Sequence, residues 1–313
     1  AMMADEVFIA LHGRPGEDGA IQVDLEKVGL PYNGSGIESS KITINKYETN
    51  ELLRKNGILV ANHALVYKSD WEENQEYFLQ VIENQFHYPF IAKPADDGCS
   101  SAVKKIKHRQ ELTAFCEMIF RQNETFIERA AETLHLQINE EFPQKNYFLL
   151  EDLIEKGNSK HFLEVTGGLL TKFDAQGNIV YEMFEPSEAL ASGEILSLEE
   201  KFLAGEGQNI TPARYAKDTD NQQIISEKVK VVLEKVARLL NMQGYCRIDA
   251  FVRIFDENQV EVIIIEVNSL PGMTPATCIF HQAALNGYKP YHFIDKILEF
   301  GKVRQENTKN QDK

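Results

Sequence analysis

Two strongly β-forming runs near the carboxyl terminus constrain this chain most, CRIDAFVRIF (246–255) and VEVIIIEVN (260–268). Both runs are rich in the β-branched and aromatic residues that favour strands. Only DENQ (256–259) separates them, and a connection of four residues is a common hairpin length. The two runs therefore predict an antiparallel hairpin with buried flanks.

Polar side chains of this hairpin would oppose each other. If the pairing is centred on the connection, Asp249 faces Glu266 and Arg247 faces Asn268. Opposed carboxylates have Cβ atoms about 4.5–5.5 Å apart, and their repulsion destabilises a sheet unless another charge offsets it. A hard divalent cation bound by Asp249, Glu266 and Asn268 would do so, and Arg247 would hold negative charge beside it. The alternative is an edge hairpin whose charges are solvated.

Length and charge exclude several classes of partner. The chain has 313 residues, which suits two or three packed subdomains, and its net charge is −15. Such an acidic chain repels phosphate backbones and anionic lipids, so we expect neither nucleic-acid nor membrane binding. Apolar runs such as 262–265 are far too short to span a bilayer. Four cysteines without a Cys-x-x-Cys pair suit a reduced protein, and we expect it in the cytoplasm.

Hydrophobic periodicity predicts the other elements of the chain. The polar segment 185–212 is expected to form a long loop, and the residues after Gly301 a frayed tail. Strands are expected at 7–11, 88–93, 102–106, 147–150 and 162–170, and helices from about residue 21 and at 45–55, 109–123 and 224–240.

The sequence lacks the common phosphate-binding motifs. It contains neither GxxxxGK[ST] nor GxGxxG. Lysines and small-residue loops could hold phosphate oxygens instead, although a lysine at a strand end is more often a surface residue with its charge in solvent. The candidates are Lys46, Lys93 and Lys201, together with Gly98, Cys99 and Ser100 of the loop ADDGCSS (95–101).

The loop after the hairpin, SLPGMTPAT (269–277), could contact a carboxylate or an oxyanion. Gly272 allows a backbone N–H group to approach a ligand closely, and a hydroxyl such as that of Thr277 can bind a carboxylate. A simple connecting loop is the alternative, and the segment taken alone does not decide between them.

Four motifs together resemble one enzyme family. They are LHGRPGEDGAIQ (11–22), GLPYNGSG (29–36), GYCRID (244–249) and EVNSLPGMT (266–274). In these blocks the chain is similar to the D-alanine–D-alanine ligase branch of the ATP-grasp superfamily. The resemblance implies an α/β (α+β) chain with an ATP-grasp fold. It also implies an ATP-dependent carboxylate–amine ligase, which phosphorylates one D-amino acid on its carboxylate and joins it to the amine of a second.

The resemblance also assigns roles to single residues. The residues that would bind the nucleotide phosphates are Lys46, Lys93, Gly98, Cys99 and Ser100, and those that would bind the adenine are Glu151, Asp152, Leu153 and Ile154. The ligands implied for two Mg²⁺ ions, or for Mn²⁺ in their place, are Asp249, Glu266 and Asn268. For catalysis, it implies that Arg247 and the Gly272 N–H stabilise the tetrahedral intermediate and that Lys201 lies in a loop that closes over the phosphates. For substrate binding, it implies that Glu17 and His12 bind the first substrate's ammonium and that Thr277 binds the second carboxylate.

The same resemblance suggests how the chain is organised. Its partners would be ATP and D-amino acids, and it would form a homodimer. The domains expected are a remnant of a truncated preceding α/β domain at 1–34, a central subdomain at 35–153, a large carboxyl-terminal subdomain at 154–302 and a polar tail at 303–313, with an insertion at 121–146.

Some residues depart from the family pattern and leave three hypotheses open. Cys99 stands in place of a serine, and Phe202 in place of a tyrosine, as in ligases that accept D-lactate. The first hypothesis is a ligase that makes a D-alanyl-D-alanine-like dipeptide for cell-wall precursors. The second is a ligase with another product, such as a depsipeptide, which Phe202 and Thr277 favour. The third is a catalytically impaired paralogue that only binds the nucleotide.

Overall fold

The computed structural model describes residues 4–96, 102–137, 140–190, 209–274 and 277–311. The chain divides into two compact units, described separately below. The large unit comprises Ala1–Ile44, Glu48–Val60 and Lys156–Lys313, and the small unit comprises Asn45–Tyr47 and Ala61–Glu155. The predicted sites Gly98, Cys99, Ser100 and Lys201 lie outside the described residues, as does Phe202.

The elements of the described residues are as follows, in chain order. The helices are α1 (Ala20–Val28), α2 (Ile37–Ile44), α3 (Lys46–Lys55), α4 (Lys68–Glu73), α5 (Gln75–Gln85), α6 (Arg109–Ile119), α7 (Glu128–Thr133), α8 (Thr219–Leu239), α9 (Cys278–Leu285) and α10 (Pro290–Gln311). The strands are β1 (Leu59–Val60), β2 (His63–Tyr67), β3 (Phe90–Lys93), β4 (Lys104–Ile106), β5 (Tyr147–Asp152), β6 (His161–Phe173), β7 (Ile179–Met183), β8 (Ser187–Ala189), β9 (Asn209–Ile210), β10 (Tyr245–Ile254) and β11 (Val260–Asn268). None of the helices in these ranges is both long and apolar enough to cross a membrane.

The large unit is built on a sheet in the order β1-β11-β10-β6-β8-β9, with β7 also paired to β6. The predicted helix at 224–240 is α8, and its apolar face packs in one core with the sheet. Val229 and Val236 of that face are fully buried, and each such side chain contributes about 1.5–3 kcal/mol. The helix starts where the Asp218 carboxylate accepts a hydrogen bond from the Asn221 N–H at 2.9 Å.

A second core of the large unit contains both ends of the chain. Ile9 and Tyr32 pack there with Tyr245, Phe293 and Ile297. Residues 4–34 therefore do not form a core of their own, and they share one with β10 and α10.

The predicted strand at 7–11 is wrong. The segment makes a single parallel bridge, Val7 with Tyr32. The side-chain amide of Asn33 replaces a neighbouring strand, because its Oδ1 accepts from the Ile9 N–H at 2.5 Å and its Nδ2 donates to the Ile9 carbonyl at 3.2 Å. Backbone groups satisfied by a side chain need no sheet partner.

The predicted frayed tail is also wrong. Helix α10 continues through Gly301 to Gln311. Arg304 anchors it, since its guanidinium donates to the carbonyls of Gly34 at 2.7 Å and Tyr32 at 3.0 Å. A composition that is polar throughout does not reveal such an anchor, because the bonding partners lie about 270 residues away.

The small unit contains an antiparallel sheet in the order β2-β5-β3-β4. Strands β3 and β5 confirm two of the sequence predictions, and α6 confirms a third. Leu112, Phe115, Cys116 and Ile119 of that helix are all fully buried, as their spacing predicts. The described part of the predicted insertion at 121–146 contains α7. Helices α4 and α5 were not predicted, and α4 has only six residues, three of them acidic.

Candidate active site

The hairpin of β10 and β11 brings the predicted metal-binding residues together. Asp249 lies opposite Glu266, and Arg247 lies opposite Asn268, as the sequence predicts. Closer to the turn, however, the register is shifted by one residue, since Ile254 pairs with Val260.

An irregularity in the ladder corrects this shift. On β10 the neighbours Asp249 and Ala250 are adjacent, but their partners on β11 are Glu266 and Ile264, which leaves Ile265 as an extra residue. A regular hairpin with the same turn would place Ile265 opposite Asp249 and turn Glu266 to the other face of the sheet. The bulge is therefore what pairs the two carboxylates.

Arg247 bridges these carboxylates. Its Nε lies 3.0 Å from Asp249 Oδ1, and its Nη2 lies 2.9 Å from Asp249 Oδ2 and 3.6 Å from Glu266 Oε1. Asn268 Nδ2 lies 3.5 Å from the same Glu266 oxygen. Burial alone would lower the pKa of Arg247, but the charges of Asp249 and Glu266 outweigh it, so the pKa is raised and the guanidinium stays protonated.

The donor set of this cluster fits a hard cation. Two carboxylates and an amide oxygen suit Mg²⁺ or Mn²⁺, whereas zinc sites use histidine and cysteine. Among the described residues there is no group of three or more His, Cys, Asp and Glu side chains that could hold a metal. Two carboxylates lie together beside the Arg247 guanidinium, and the negative charge that they bring together suits a cation.

Glu17 connects the first loop of the large unit to the loop after the hairpin. It is only 4% exposed, and its two oxygens accept from the Gly13 N–H and the Leu270 N–H, each at 2.8 Å. His12 Nδ1 lies 2.9 Å from Glu17 Oε2 and 3.2 Å from the Leu270 carbonyl. Because both neighbours are acceptors, this nitrogen carries a proton. The predicted ammonium-binding pair is thus adjacent to the predicted oxyanion loop.

Gly272 and Thr277 lie in that loop, and residues 275–276 between them fall outside the described ranges. The Thr277 hydroxyl donates to the Thr274 carbonyl at 2.8 Å, so it is oriented by its own loop. Thr277 immediately precedes α9, whose first residue, Cys278, is half-buried. Burial raises the pKa of the Cys278 thiol, although Arg247 partly opposes the shift.

In the small unit, the structure brings Lys93 and Glu151 together. Lys93 ends β3 and Glu151 lies on the adjacent strand β5, and the Lys93 Nζ lies 2.5 Å from the Glu151 Oε2. Both side chains are nearly buried. Lys93 is therefore not a strand-end lysine with its charge in solvent, which was the alternative interpretation of this position.

The other predicted nucleotide residues of the small unit flank this pair. The Lys46 N–H donates to the Ala95 carbonyl at 2.7 Å, which ties the start of α3 to the segment after Lys93. Asp152 ends β5, and its N–H donates to the Asn62 carbonyl at 2.9 Å. Leu153 and Ile154 follow outside any strand and are half-buried.

Thr166 is a residue of the site that the sequence analysis missed. It lies on β6 directly opposite Asp249 on β10, and its hydroxyl donates to Asp249 Oδ1. A predicted strand at 162–170 carries no information on which strand lies beside it. The only signal in the sequence is the break of an apolar run by a threonine.

Solved structures with this fold define the class of protein. The D-alanine–D-alanine ligase of Coxiella burnetii matches 99% of this chain and 72% of its own, with a TM-score of 0.69 at 20% identity. The D-Ala:D-Ser ligase of Enterococcus faecalis matches 96% of this chain and 74% of its own, with a TM-score of 0.69 at 23% identity. The chain has the ATP-grasp fold, as the resemblance implies.

The family follows from comparisons of sequence. The family model described as the D-ala D-ala ligase C-terminus matches residues 52–145 and 150–299. The D-alanine–D-alanine ligase of Caldicellulosiruptor bescii is 29% identical over 306 residues, which are 98% of this chain and 72% of the relative. That of Syntrophobacter fumaroxidans is 30% identical over 296 residues, 94% of this chain and 79% of the relative. The chain belongs to the D-alanine–D-alanine ligase family.

Proposed function

We propose that this chain is an ATP-dependent carboxylate–amine ligase that joins two molecules of D-alanine, or of a similar D-amino acid, for peptidoglycan precursors. The observation that carries the proposal is the cross-strand pairing of Asp249 with Glu266 and of Arg247 with Asn268 in a chain of this family. The first substrate's carboxylate takes the terminal phosphoryl group of ATP and becomes an acylphosphate. The amine of the second substrate then attacks the acyl carbon, and phosphate leaves.

Asp249, Glu266 and Asn268 would hold two Mg²⁺ ions, or Mn²⁺ ions in their place. Such ions neutralise the phosphoryl group during its transfer. The lysines Lys46 and Lys93 would bind phosphate oxygens, because an ammonium group has three donors and Lys93 can serve Glu151 and a phosphate together. Glu151, Asp152, Leu153 and Ile154 would bind the adenine, and Gly98, Cys99, Ser100 and Lys201 would complete the phosphate contacts.

Arg247 would stabilise the oxyanion of the tetrahedral intermediate together with the Gly272 N–H. Its guanidinium is fixed by Asp249 before substrate binds, so little reorganisation accompanies the reaction. Glu17 would bind the first substrate's ammonium beside His12, since each carboxylate oxygen can accept more than one hydrogen bond. Thr277 would bind the second carboxylate.

Phosphate release tests the proposal. The 313-residue chain with ATP, Mg²⁺ and D-alanine should release phosphate, and Asp249→Asn should reduce turnover by about 100-fold or more because it removes a charged ligand. Asp256→Asn is the matched control, since Asp256 lies exposed in the turn of the same hairpin and an asparagine can still accept its hydrogen bonds.

Failure would take one of two forms. Absence of phosphate release with every D-amino acid and D-hydroxy acid would contradict the proposal. Calorimetric binding of ATP without turnover would then favour the nucleotide-binding paralogue.

The choice of second substrate is tested by competition. An amine nucleophile must lose its proton before it attacks, whereas a hydroxy acid such as D-lactate carries no ammonium. Formation of D-alanyl-D-alanine should therefore gain on formation of the ester as the pH rises. A product ratio that is independent of pH would contradict a real choice between nucleophiles.

We also propose a homodimer in the cytoplasm, with the order of subdomains given by the resemblance. Family analogy supports these proposals. Analytical ultracentrifugation of the chain tests the homodimer, and a monomer would contradict it.

A further inference from the structure

The hydrogen bonds of Asp249 divide its two oxygens unequally. Oδ1 accepts from the Thr166 hydroxyl and from Arg247 Nε at 3.0 Å, whereas Oδ2 accepts only from Arg247 Nη2 at 2.9 Å among the described residues. A carboxylate offers about four lone-pair directions, two on each oxygen. Oδ1 is therefore filled, and the remaining acceptor direction belongs to Oδ2. Thr166 is the neutral donor that creates this asymmetry.

A second residue fixes Thr166 itself. Gln282 of α9 is only 1% exposed, and its Nε2 donates to the Thr166 carbonyl at 2.7 Å and to the Ser187 hydroxyl at 2.9 Å. Gly168 makes room for it, because a Cβ atom there would lie 2.4 Å from Gln282 Oε1. Ser187 is held in turn by Thr211, with the two hydroxyl oxygens 2.6 Å apart. The backbone of β6 at Thr166 is thus bound to the helix that follows Thr277.

These contacts form one chain of buried hydrogen bonds. It runs from Ser187 through Gln282 to the Thr166 backbone, and from the Thr166 hydroxyl to Asp249. Partners of this kind orient metal ligands and tune their affinity even though they do not touch the metal.

We propose that Thr166 and Gln282 are positioning residues of the metal site, which direct the cation to Asp249 Oδ2 by occupying Oδ1. This inference rests on the proposed ligase function. Thr166 holds the carboxylate, and Gln282 holds Thr166. Helix α9 thereby couples the loop predicted to bind the second substrate with the carboxylate predicted to bind the metal.

The test measures Mn²⁺ binding directly. Electron paramagnetic resonance of free Mn²⁺ is recorded while the ion is titrated into the 313-residue chain with ADP. Thr166→Val keeps the volume but removes the donor, and it should weaken Mn²⁺ binding about 10- to 100-fold. Thr166→Ser retains the hydroxyl and should restore wild-type binding. In turnover, Thr166→Val should raise the Mg²⁺ concentration needed for half-maximal rate more than it lowers the rate at saturation.

Thr171→Val is the matched control. Thr171 is buried on the same strand, and its hydroxyl bonds to the backbone of Gly244 instead of to Asp249. This variant should lose stability but keep its Mn²⁺ affinity. If Thr166→Val binds Mn²⁺ as tightly as the wild type does, the positioning role is overturned and the proposed function is not affected. The same conclusion follows if Thr171→Val loses as much Mn²⁺ affinity as Thr166→Val does. A wild-type chain that binds no Mn²⁺ would overturn the metal site of the proposed function as well.

A double-mutant cycle tests Gln282. Gln282→Met removes the donor, and it should weaken Mn²⁺ binding less than Thr166→Val does. Because Gln282 acts through Thr166, combining the two substitutions should cause no further loss beyond that of Thr166→Val. Additive losses would show that Gln282 does not act through Thr166.

Discussion

The charged cluster of the hairpin and the ion pair of the small unit differ in how their charges balance. In the hairpin, Asp249 and Glu266 both lie close to the guanidinium of Arg247, so two carboxylates meet beside one cationic side chain. In the small unit, Lys93 and Glu151 form a short ion pair with 2.5 Å between Nζ and Oε2. Adjacent carboxylates favour binding of a cation, whereas the ion pair of the small unit holds a lysine side chain at a buried position. The hairpin is suited to bind a metal and the pair to present an ammonium group.

The largest effect is expected at Arg247. Arg247→Met leaves Asp249 and Glu266 without their shared partner and should destabilise the chain by about 3–5 kcal/mol, because breaking a buried pair isolates charge. It should also reduce turnover about 10²–10³-fold, as loss of an oxyanion donor does. Urea denaturation and phosphate release measure the two effects.

Arg253 supplies the control for this substitution. It lies on the same strand and pairs with Glu261 at 3.5 Å, close to the turn. Arg253→Met should destabilise the chain less than Arg247→Met does, because its pair is longer and only half-buried. Equal losses in the two variants would mean that the cluster at Arg247 is no different from a surface ion pair.

A smaller effect is expected at Lys93. Lys93→Met should weaken ATP binding roughly 10- to 100-fold, which corresponds to the loss of a charged hydrogen bond of about 1.5–3 kcal/mol. Lys104→Met is the control, because Lys104 forms an equally short pair with Glu140 on the same sheet. Calorimetry with ATP distinguishes them. Unchanged affinity in Lys93→Met would leave the Lys93–Glu151 pair a purely structural one.

Glu17 is a third arrangement, a carboxylate held mainly by backbone N–H groups. Glu17→Gln has only one acceptor oxygen for the N–H groups of Gly13 and Leu270, so one of them loses its partner. We expect a loss of about 1–3 kcal/mol in thermal or urea denaturation. Asp18→Asn, at the neighbouring pair with the exposed Arg14, should cost less than about 1 kcal/mol, because an asparagine oxygen can still accept hydrogen bonds. Equal costs would mean that Glu17 does not hold the two loops together.

The smallest effect on stability is expected for the ion pair of Glu188 with Arg214, which serves as the baseline for the other sites. Hydrogen bonds from Arg214 hold the pKa of Glu188 below its usual value. A carboxyl whose pKa is lowered in the folded state adds stability above its unfolded pKa of about 4.3, and this stability is lost as the pH falls further. Glu188→Gln should therefore flatten the decline in stability below about pH 5. A pH profile identical to that of the wild type would mean that the pair contributes no stability.

The sequence predicted what depends on local pattern and missed what depends on distant partners. The pairing of Asp249 with Glu266 could be predicted because both residues belong to one hairpin, and the buried face of α6 because its residues share one helix. The bond from the Leu270 N–H to Glu17 joins residues 253 positions apart, so no local pattern contains it. Thr166 was missed for the same reason, since its partner lies on another strand.

The register near the turn was wrong for a different reason. A hairpin prediction assumes one pairing register along both strands. Here a bulge shifts the register within a run of isoleucines, and no residue in that run indicates the shift. The prediction of a frayed tail was wrong because one half-buried arginine, Arg304, fixes a helix whose composition is that of a solvated segment.

The extra residue at Ile265 has an evolutionary consequence. If it were deleted, the shorter strand would keep every cross-strand partner on both sides of the deletion, and only the local curvature would be lost. A one-residue gap at this position in an aligned homologue would therefore not signal a broken site. Insertions and deletions elsewhere in the two strands would exchange the faces of their side chains.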